Sequence, residues 1–427
     1  MKLSQPTRIL LALILGLAIG IVAMSTGQAW TDKAANIAEP IGGLWLNALQ
    51  MTIVPLVVSL IITGIAGAAE AARASRLATR ALILFACLLL ASAILAALLT
   101  PALLNLFPLP PESAANLREA LASTHPPAAT PGFAAFITGL VPNNPVAAAS
   151  SNGGILPLIV FVLVFAFAMT KLEEKPRATL IGFFKAIADT MLIIVNWVLW
   201  IGPIGVFALA FVLGARAGSS AFHAVIHYVL IVIAVGAVVW LAAWPLAMLG
   251  ARVGPLRFTR AIASSQALAL STQSSLACLP AMLRASGKLG VPVGASGIVL
   301  PMAVAVFRAT GPAMNFAVAI YIAYWFAVPL TPTVLTLGVL AAATTTIGAA
   351  GIPGQATFFA SIAPICLAMG VPIAPLALLI TVETLPDIMR TIGNVSMDVA
   401  ATTVIAKRAG FADEPETSED KLLERGA

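Results

Sequence analysis

Five polar residues recur at helical spacing in the last apolar stretch of the chain, from Val371 to Ala406. They are Glu383, Asp387, Arg390, Asn394 and Asp398. Steps of three or four residues place all five within about 80° of one another on one helix face. Ionisable side chains at membrane depth are costly, and they usually face a water-filled cavity, a substrate or one another. The pattern indicates a polar solute site inside a membrane, with an ion-paired seam between buried helices as the structural alternative.

The composition of the chain favours a membrane protein. Its 427 residues are 60% hydrophobic and only 9% charged, whereas an ordinary soluble domain is about 25% charged. The net charge of +6 comes from basic residues in short loops between apolar spans, so it indicates membrane topology rather than nucleic-acid binding. The three cysteines lie apart, with no CxxC pairing, and predict neither a disulfide nor a zinc site. The sequence predicts no cofactor and no metal centre.

Long apolar stretches predict helices that cross the bilayer. Six of them lie near residues 8–27, 40–67, 79–107, 131–171, 183–214 and 221–249, and two more lie at 292–327 and 373–408. Segments 256–289 and 330–371 differ, because each has two short apolar arms around a tip of small residues. An arm of about 14 residues is too short for a hydrocarbon core that needs about 20. These two segments are predicted to be re-entrant hairpins, and such paired interruptions point to the binding site of a transporter.

Loop charge predicts the orientation of the chain in the membrane. If the spans alternate, most basic residues fall on one side, and the positive-inside rule places that side in the cytoplasm. Both termini and the open end of the first hairpin are then cytoplasmic, whereas the second hairpin enters from outside. The charged residues 414–427 are predicted to form a disordered tail.

Several motifs occur in a fixed order along the chain. They are Met51-Thr-Ile-Val-Pro-Leu, Val141-Pro-Asn-Asn-Pro, Pro203-Ile-Gly-Val-Phe-Ala-Leu, Thr272-Gln-Ser-Ser-Leu-Ala-Cys-Leu-Pro, Gly351-Ile-Pro-Gly and Asp387-Ile-Met-Arg-Thr-Ile-Gly-Asn-Val-Ser-Met-Asp. Over nearly its whole length the chain therefore resembles the glutamate transporters, or dicarboxylate/amino acid:cation symporters. The last motif is the most specific of the set.

The resemblance implies an all-α polytopic membrane protein with eight transmembrane helices and two re-entrant hairpins arranged as inverted repeats. It also implies a homotrimer in the cell inner membrane, with the lipid bilayer and a small acidic amino acid as partners. Residues 1–78 and 108–214 would form a scaffold, and residues 79–107 and 215–410 a transport domain that moves like an elevator. Residues 411–427 would be a cytoplasmic tail. The second hairpin would be the extracellular gate.

Matching positions in the family imply roles for individual residues. Arg390 would bind the side-chain carboxylate of the substrate through its fork of donors, and Asp387 would pair with the substrate ammonium. Dicarboxylate carriers lack an aspartate at the position of Asp387, so glutamate or aspartate is favoured over a C4-dicarboxylate. The other implied substrate contacts are Ser274, Ser275, Gly351, Ile352, Gly354, Thr391 and Asn394.

The seventh span departs from the family pattern. The Asn-Met-Asp-Gly-Thr signature that builds sodium sites is replaced by Phe307-Arg308-Ala309-Thr310-Gly311, so oxygen ligands suited to a hard cation are missing. Arg308 could neutralise a buried carboxylate such as Asp398 without a bound cation. Alternatively, it replaces a family arginine that is absent here at Gln273 and Ile388. Both interpretations weaken sodium coupling.

A proton is therefore favoured over sodium as the coupling ion. Glu383 and Asp398 are the candidate carriers, because a carboxylate that is buried in one state and solvated in another changes its pKa between them. The predicted function is secondary active transport of acidic amino acids that is sodium-independent or only weakly sodium-dependent. A C4-dicarboxylate transporter and an amino-acid exchanger of the same fold are the alternatives.

Two other classes of function carry less weight. An intramembrane enzyme would need a nucleophile–base or metal arrangement, and the spans contain no HExxH or GxSxG motif. A passive anion channel is a third possibility of intermediate weight, because the family that the chain resembles can leak anions along the moving interface. His223 and His227, four residues apart, resemble half of a metal site, but no third ligand is evident. Structural or solvated histidines are therefore favoured.

Overall fold

The computed structural model describes residues 5–26, 30–110, 138–139, 141–150, 155–347 and 354–410, and within these ranges it contains helices and no strand. The first nine helices are α1 (Gln5–Thr26), α2 (Trp30–Gln50), α3 (Ile53–Ala74), α4 (Arg76–Leu106), α5 (Pro145–Ser150), α6 (Ile155–Met169), α7 (Glu174–Trp200), α8 (Gly202–Ala217) and α9 (Ser219–Leu241). The others are α10 (Ala243–Pro245), a π-helical turn (Leu246–Gly250), α11 (Pro255–Thr272), α12 (Leu279–Lys288), α13 (Val293–Val306), α14 (Thr310–Trp325), α15 (Pro332–Ile347), α16 (Gly354–Ala368), α17 (Leu376–Leu379) and α18 (Thr384–Arg408).

Six helical stretches of the described chain are long and apolar enough to cross a bilayer. They are Thr7–Ser25, Trp30–Glu70, Arg76–Leu106, Glu174–Trp200, Ser219–Gly250 and Val293–Trp325. Shorter apolar helices lie at Pro157–Met169, Gly202–Ala217, Pro332–Thr346 and Thr357–Ala368. The prediction of an all-helical protein with several apolar helices is therefore confirmed for the described residues, whereas the count of eight crossings stays a prediction.

Two spans predicted to be continuous are broken where a proline follows. The span predicted at 183–214 divides at Ile201, because Pro203 occupies the first turn of α8 and cannot continue α7. The span predicted at 40–67 divides at Met51 and Thr52. Pro55 in the first turn of α3 has no N–H and would clash with the carbonyl of Met51 in a continuous helix.

The seventh span, predicted to run unbroken over 292–327, is also interrupted. Helix α13 ends at Val306 and α14 begins at Thr310, which leaves Phe307, Arg308 and Ala309 outside regular helix. Pro312 explains the break, because its ring would meet the carbonyl of Arg308 in an α-helix. That carbonyl instead accepts a hydrogen bond from the backbone N–H of Gly311 at 2.8 Å. Arg308 therefore lies in a short non-helical segment between α13 and α14.

The last span is interrupted as well. The single turn α17 is followed by a non-helical turn, and α18 begins at Thr384. Glu383 is consequently the N-cap residue of α18 rather than an interior position. Its carbonyl still accepts the backbone N–H of Asp387 at 2.8 Å, so the helical register between these two residues is kept.

Both predicted hairpins contain two helices that pack against each other. Helix α11 packs against α12, and α15 packs against α16. At the first tip, Gln273 adopts a left-handed conformation with φ 51° and reverses the chain after α11. The second tip lies outside the described residues, and with it the predicted contacts Gly351 and Ile352. Gly354 begins α16.

Helix α1 packs closely on α8 through glycine. A Cβ built on Gly20 would lie 2.4 Å from the carbonyl oxygen of Phe211, and one on Gly214 would lie 2.6 Å from that of Leu17. Such contacts let two helix backbones approach, as small residues do in membrane helix pairs. Helix α4 instead packs against α14 and α15, and α9 packs against α18. Helix α18 also contacts α4, α11, α13 and α14.

Candidate functional site

Arg390 of α18 is the centre of a buried ion-pair network. Its Nη1 donates to Oδ1 of Asn315 at 2.6 Å, and its Nη2 donates to Oε1 of Glu383 at 2.6 Å. Its Nε lies 3.3 Å from Oδ1 of Asp387. All four side chains are buried, and contacts between charged groups in such surroundings are stronger than in water. The guanidinium predicted to bind substrate is thus already held by two carboxylates and an amide.

A small cavity lies beside this network. Its volume is about 10 Å³, which is room for roughly one water molecule. The lining side chains come from α14, both arms of the second hairpin and the start of α18. They are Arg308, Gly311, Asn315, Thr346, Thr357, Phe358, Ser361, Glu383 and Arg390. The cavity is therefore too small for a solute the size of an amino acid, and binding one requires the surrounding side chains or helices to move.

Arg308 brings a second positive charge to this cavity from the break between α13 and α14. Its guanidinium is buried and lies within electrostatic range of three carboxylates as well as of Arg390. The three carboxylates are Glu383, Asp387 and Asp398. A buried charge left without a partner is strongly unfavourable. We infer that the two arginines and three carboxylates stabilise one another as one electrostatic cluster.

Asp398 is the carboxylate of the cluster that lies furthest along α18. Its side chain is 0% exposed, and neither of its carboxylate oxygens has a hydrogen-bond partner among the residues that the structure describes. The hydroxyl of Thr402, one turn later on α18, is also buried without a hydrogen-bond partner among the described residues. A charged carboxylate in such a place needs a compensating charge or a proton. Arg308 is the cation in electrostatic range of it.

The residues at the position of the family's sodium signature are used for packing and hydrogen bonding. The ring of Phe307 stacks on that of Phe85, with centroids 4.5 Å apart and planes 7° from parallel. The carbonyl of Ala309 accepts a hydrogen bond from Oγ of Ser92 at 2.6 Å. Both contacts tie the break to α4. Phe307 and Ala309 also have no side-chain oxygen with which to coordinate a cation.

The side chain of Asn394 is also occupied by hydrogen bonds within the protein. Its Oδ1 accepts the backbone N–H of Thr310 at 2.9 Å and the hydroxyl of Thr310 at 2.8 Å. An oxygen that already accepts two hydrogen bonds offers little to a hard cation. Across the described ranges, no group of three or more His, Cys, Asp or Glu side chains is arranged to hold a metal ion. Phe307 and Ala309 thus lack the two side-chain oxygens that the sodium signature of the family would supply.

Several predicted substrate contacts do not line this cavity, namely Asp387, Thr391, Asn394, Ser274 and Ser275. Thr391 donates its hydroxyl to the carbonyl of Asp387 at 2.9 Å, within its own helix. Asn394 is occupied by Thr310, as described above. At the first hairpin tip, Ser275 is buried, and Oγ of Ser274 accepts from the backbone N–H of Ala277 at 3.4 Å. Their roles as substrate ligands stay predictions.

The cavity also contains polar residues that sequence reasoning missed. Asn315 and the hydroxyls of Thr346, Thr357 and Ser361 line it. Each is an isolated polar residue within an apolar helix. A search of the sequence for such positions could have identified them as candidates for the site. The rule that membrane helices bury polar side chains toward a bundle interior does not say which of them meet.

Comparisons with known proteins agree with this architecture. The model of the sodium:dicarboxylate symporter family matches residues 6–408. The chain is 28% identical to the proton/glutamate-aspartate symporter of Escherichia coli (strain K12), over 95% of this chain and 93% of that protein. It is 27% identical to the proton/sodium-glutamate symport protein of Bacillus subtilis (strain 168), over 96% and 94% of the two chains. It is 28% identical to C4-dicarboxylate transport protein 2 of Ralstonia nicotianae, over 93% and 88%.

These relatives are transporters rather than enzymes, and the family match covers nearly the whole chain. The helical fold, its apolar spans and the buried polar face of α18 fit a membrane carrier of small carboxylic acids. The chain belongs to the sodium:dicarboxylate symporter family, and it is a dicarboxylate or amino-acid symporter.

Proposed function

We propose that this protein is a secondary active transporter of glutamate or aspartate that does not require sodium and is coupled to protons. The observation that carries the proposal is the convergence of Arg308 and Arg390 with Glu383 on one small polar cavity. Guanidinium groups are the side chains best suited to carboxylates. Two of them match the two carboxylates of an acidic amino acid.

The ammonium group of such a substrate needs a negative partner. Asp387 and Glu383 lie within the same buried network as Arg390, and either carboxylate could pair with an ammonium when the network opens. C4-dicarboxylates are the second candidate class, because two arginines also suit two carboxylates and one relative is named for C4-dicarboxylate transport. The presence of Asp387 favours the amino acid, since a dicarboxylate gains nothing from a third anion nearby.

The balance of charge in the cluster supports proton coupling. Three buried carboxylates face two buried arginines, and an acidic amino acid adds a further net negative charge. In a low-dielectric interior an uncompensated charge is costly. With sodium ligands replaced at Phe307 and Ala309, protonation of a carboxylate is the remaining means of compensation. Asp398 and Glu383 are the proposed carriers.

The proposed cycle is an elevator movement within a homotrimer in the inner membrane, with both termini cytoplasmic. Helices α1, α2 and α8 pack on one another, which supports their assignment to the scaffold. Helices α14, α15, α16 and α18 enclose the cavity, which supports their assignment to the moving domain. The proposed boundaries remain 1–78 and 108–214 for the scaffold, and 79–107 and 215–410 for the transport domain.

Replacing Asp387 with asparagine tests the substrate class. The variant Asp387→Asn is expected to weaken glutamate and aspartate binding by about 10- to 100-fold, because a charge-assisted contact contributes about 1.5–3 kcal/mol. Binding of succinate and malate, which lack an ammonium group, is expected to change much less. The measurement is competition of each compound against radiolabelled glutamate on the purified protein.

The control for this test is Asp189→Asn, which removes a carboxylate from an exposed position of α7. It is expected to bind every compound as the wild type does. Equal losses for amino acids and dicarboxylates in Asp387→Asn would show that Asp387 does not recognise an ammonium. Tighter wild-type binding of succinate than of glutamate would favour the C4-dicarboxylate class.

A further inference from the structure

His227 of α9 joins three helices through its two ring nitrogens. Its Nε2 lies 2.7 Å from the carbonyl oxygen of Phe107, the C-cap residue of α4. Its Nδ1 lies 2.6 Å from the hydroxyl of Tyr321 on α14. The oxygen of that hydroxyl also lies 3.1 Å from the carbonyl oxygen of Ala224, one turn earlier on α9. The imidazole is half-buried, and Tyr321 is fully buried.

The chemistry of the partners restricts where protons can be. A carbonyl only accepts hydrogen bonds, so Nε2 of His227 must carry a hydrogen to bond Phe107. Neutral imidazole has one N–H, which makes Nδ1 an acceptor for the hydroxyl of Tyr321. In imidazolium both nitrogens donate. Nδ1–H then donates to the oxygen of Tyr321, whose own proton is free to bond the carbonyl of Ala224.

We propose that His227 is a proton-binding site that switches Tyr321 between two hydrogen-bonding arrangements at the junction of α4, α9 and α14. When His227 is neutral, Tyr321 donates to the imidazole. When His227 is protonated, Tyr321 donates to Ala224 and accepts from the imidazole. Protonation thus adds a hydrogen bond to the junction without moving a heavy atom, because both arrangements use the same three contacts.

The junction is connected to the carboxylate cluster by packed aromatic rings. Tyr321 packs edge-to-face against Tyr228, with ring centroids 5.5 Å apart. The phenol of Tyr228 is buried and lies within electrostatic range of Glu383 and Arg390. Helix α14 also begins at the Arg308 break and carries Asn315, the amide that holds Arg390. A change in the hydrogen bonds of Tyr321 therefore changes the strength of the contact between α14 and α9, and α14 carries part of the site.

Among the described residues, two helices supply titratable groups near His227. Helix α9 contributes His223 and Tyr228, and α14 contributes Tyr321 and Tyr324. The end of α4 contributes the uncharged carbonyl of Phe107. Of these groups, the two histidines are the ones whose charge ordinarily changes between about pH 5 and 8. Variants of His223 and His227 therefore isolate the histidine contribution, because they leave the proposed proton carriers Glu383 and Asp398 in place.

The direct test is nitrogen NMR of the full-length protein labelled at histidine, recorded without substrate. The chain contains only three histidines, so the His227 signal is assigned by its loss in His227→Gln. At about pH 8 the His227 imidazole is expected to carry its proton on Nε2, and on acidification both nitrogens are expected to be protonated. A neutral ring protonated on Nδ1, or no protonation down to about pH 5, would overturn the proposal.

A second experiment measures glutamate uptake as a function of pH. Unlike the NMR experiment, it rests on the proposed function. His227→Gln and Tyr321→Phe are both expected to change the dependence of uptake on pH between about pH 5 and 8, relative to the wild type. The control His223→Gln, one turn away on α9, is expected to keep the wild-type dependence. A wild-type dependence on pH in both test variants would contradict the switch. Absence of any uptake would count against the proposed substrate and leave the NMR result as the test of His227.

Discussion

Arg390→Lys is expected to weaken glutamate and aspartate binding by about 10- to 100-fold while the protein stays folded, since a hydrogen bond to a charged group contributes about 1.5–3 kcal/mol. Lysine keeps the positive charge that compensates Glu383 and Asp387. It has no planar fork, so it cannot bond Asn315 and Glu383 while also presenting paired donors to a carboxylate. The measurement is equilibrium binding of radiolabelled substrate to the purified protein.

Lysine is a sharper replacement than alanine at this position. Arg390→Ala would leave two buried carboxylates unpaired, a defect that typically costs about 3–5 kcal/mol of folding stability. The matched control is Arg216→Lys, because Arg216 pairs with Glu39 at 2.7 Å in a partly exposed contact between α8 and α2. Thermal unfolding of both variants reports on folding. Wild-type affinity in Arg390→Lys would remove Arg390 from the substrate site.

Arg308→Met is expected to reduce the affinity for acidic amino acids by at least tenfold, which is about 1.4 kcal/mol. Methionine stands at this position in the family signature that the resemblance implies, but the substitution does not restore the oxygen ligands absent at Phe307 and Ala309. The cluster would then hold one arginine against three carboxylates. An anionic substrate would meet a site with excess negative charge.

The pH profile separates this electrostatic role from a purely structural one. Protonating a carboxylate removes negative charge, so acidification is expected to restore part of the affinity lost in Arg308→Met. A general loss of structure would not recover in acid. Arg257→Met, at an exposed position of α11, is the control and is expected to bind as wild type does. Unchanged affinity in Arg308→Met would exclude a charge-compensating role for Arg308.

The sequence was sufficient to predict the polar face of α18. Glu383, Asp387 and Arg390 meet in the structure because spacings of three and four residues place side chains together on any α-helix. The hairpin helices were also predictable, since arms too short to cross a bilayer flank each small-residue tip. These features depend on local geometry, which the order of residues determines.

Other features depend on which helices meet, and local periodicity does not contain that information. Asn315 binds Arg390 across 75 positions of sequence, and nothing in the spacing of α14 singles it out. The occupation of Asn394 by Thr310 likewise follows from the packing of α14 on α18. The break at Phe307–Ala309 was visible in principle, because Pro312 excludes a continuous helix there, but the apolar run around it predicted an unbroken span.

The most direct test of a sodium-independent acidic amino-acid carrier is accumulation of radiolabelled glutamate and aspartate in proteoliposomes, with proton and sodium gradients imposed separately. An inward proton gradient in sodium-free choline buffer is expected to drive accumulation above the equilibrium level, and added sodium is expected to change substrate affinity by less than about tenfold, or 1.4 kcal/mol of coupling. Accumulation that appears only with a sodium gradient, or a tenfold or greater gain in affinity on adding sodium, would contradict the account.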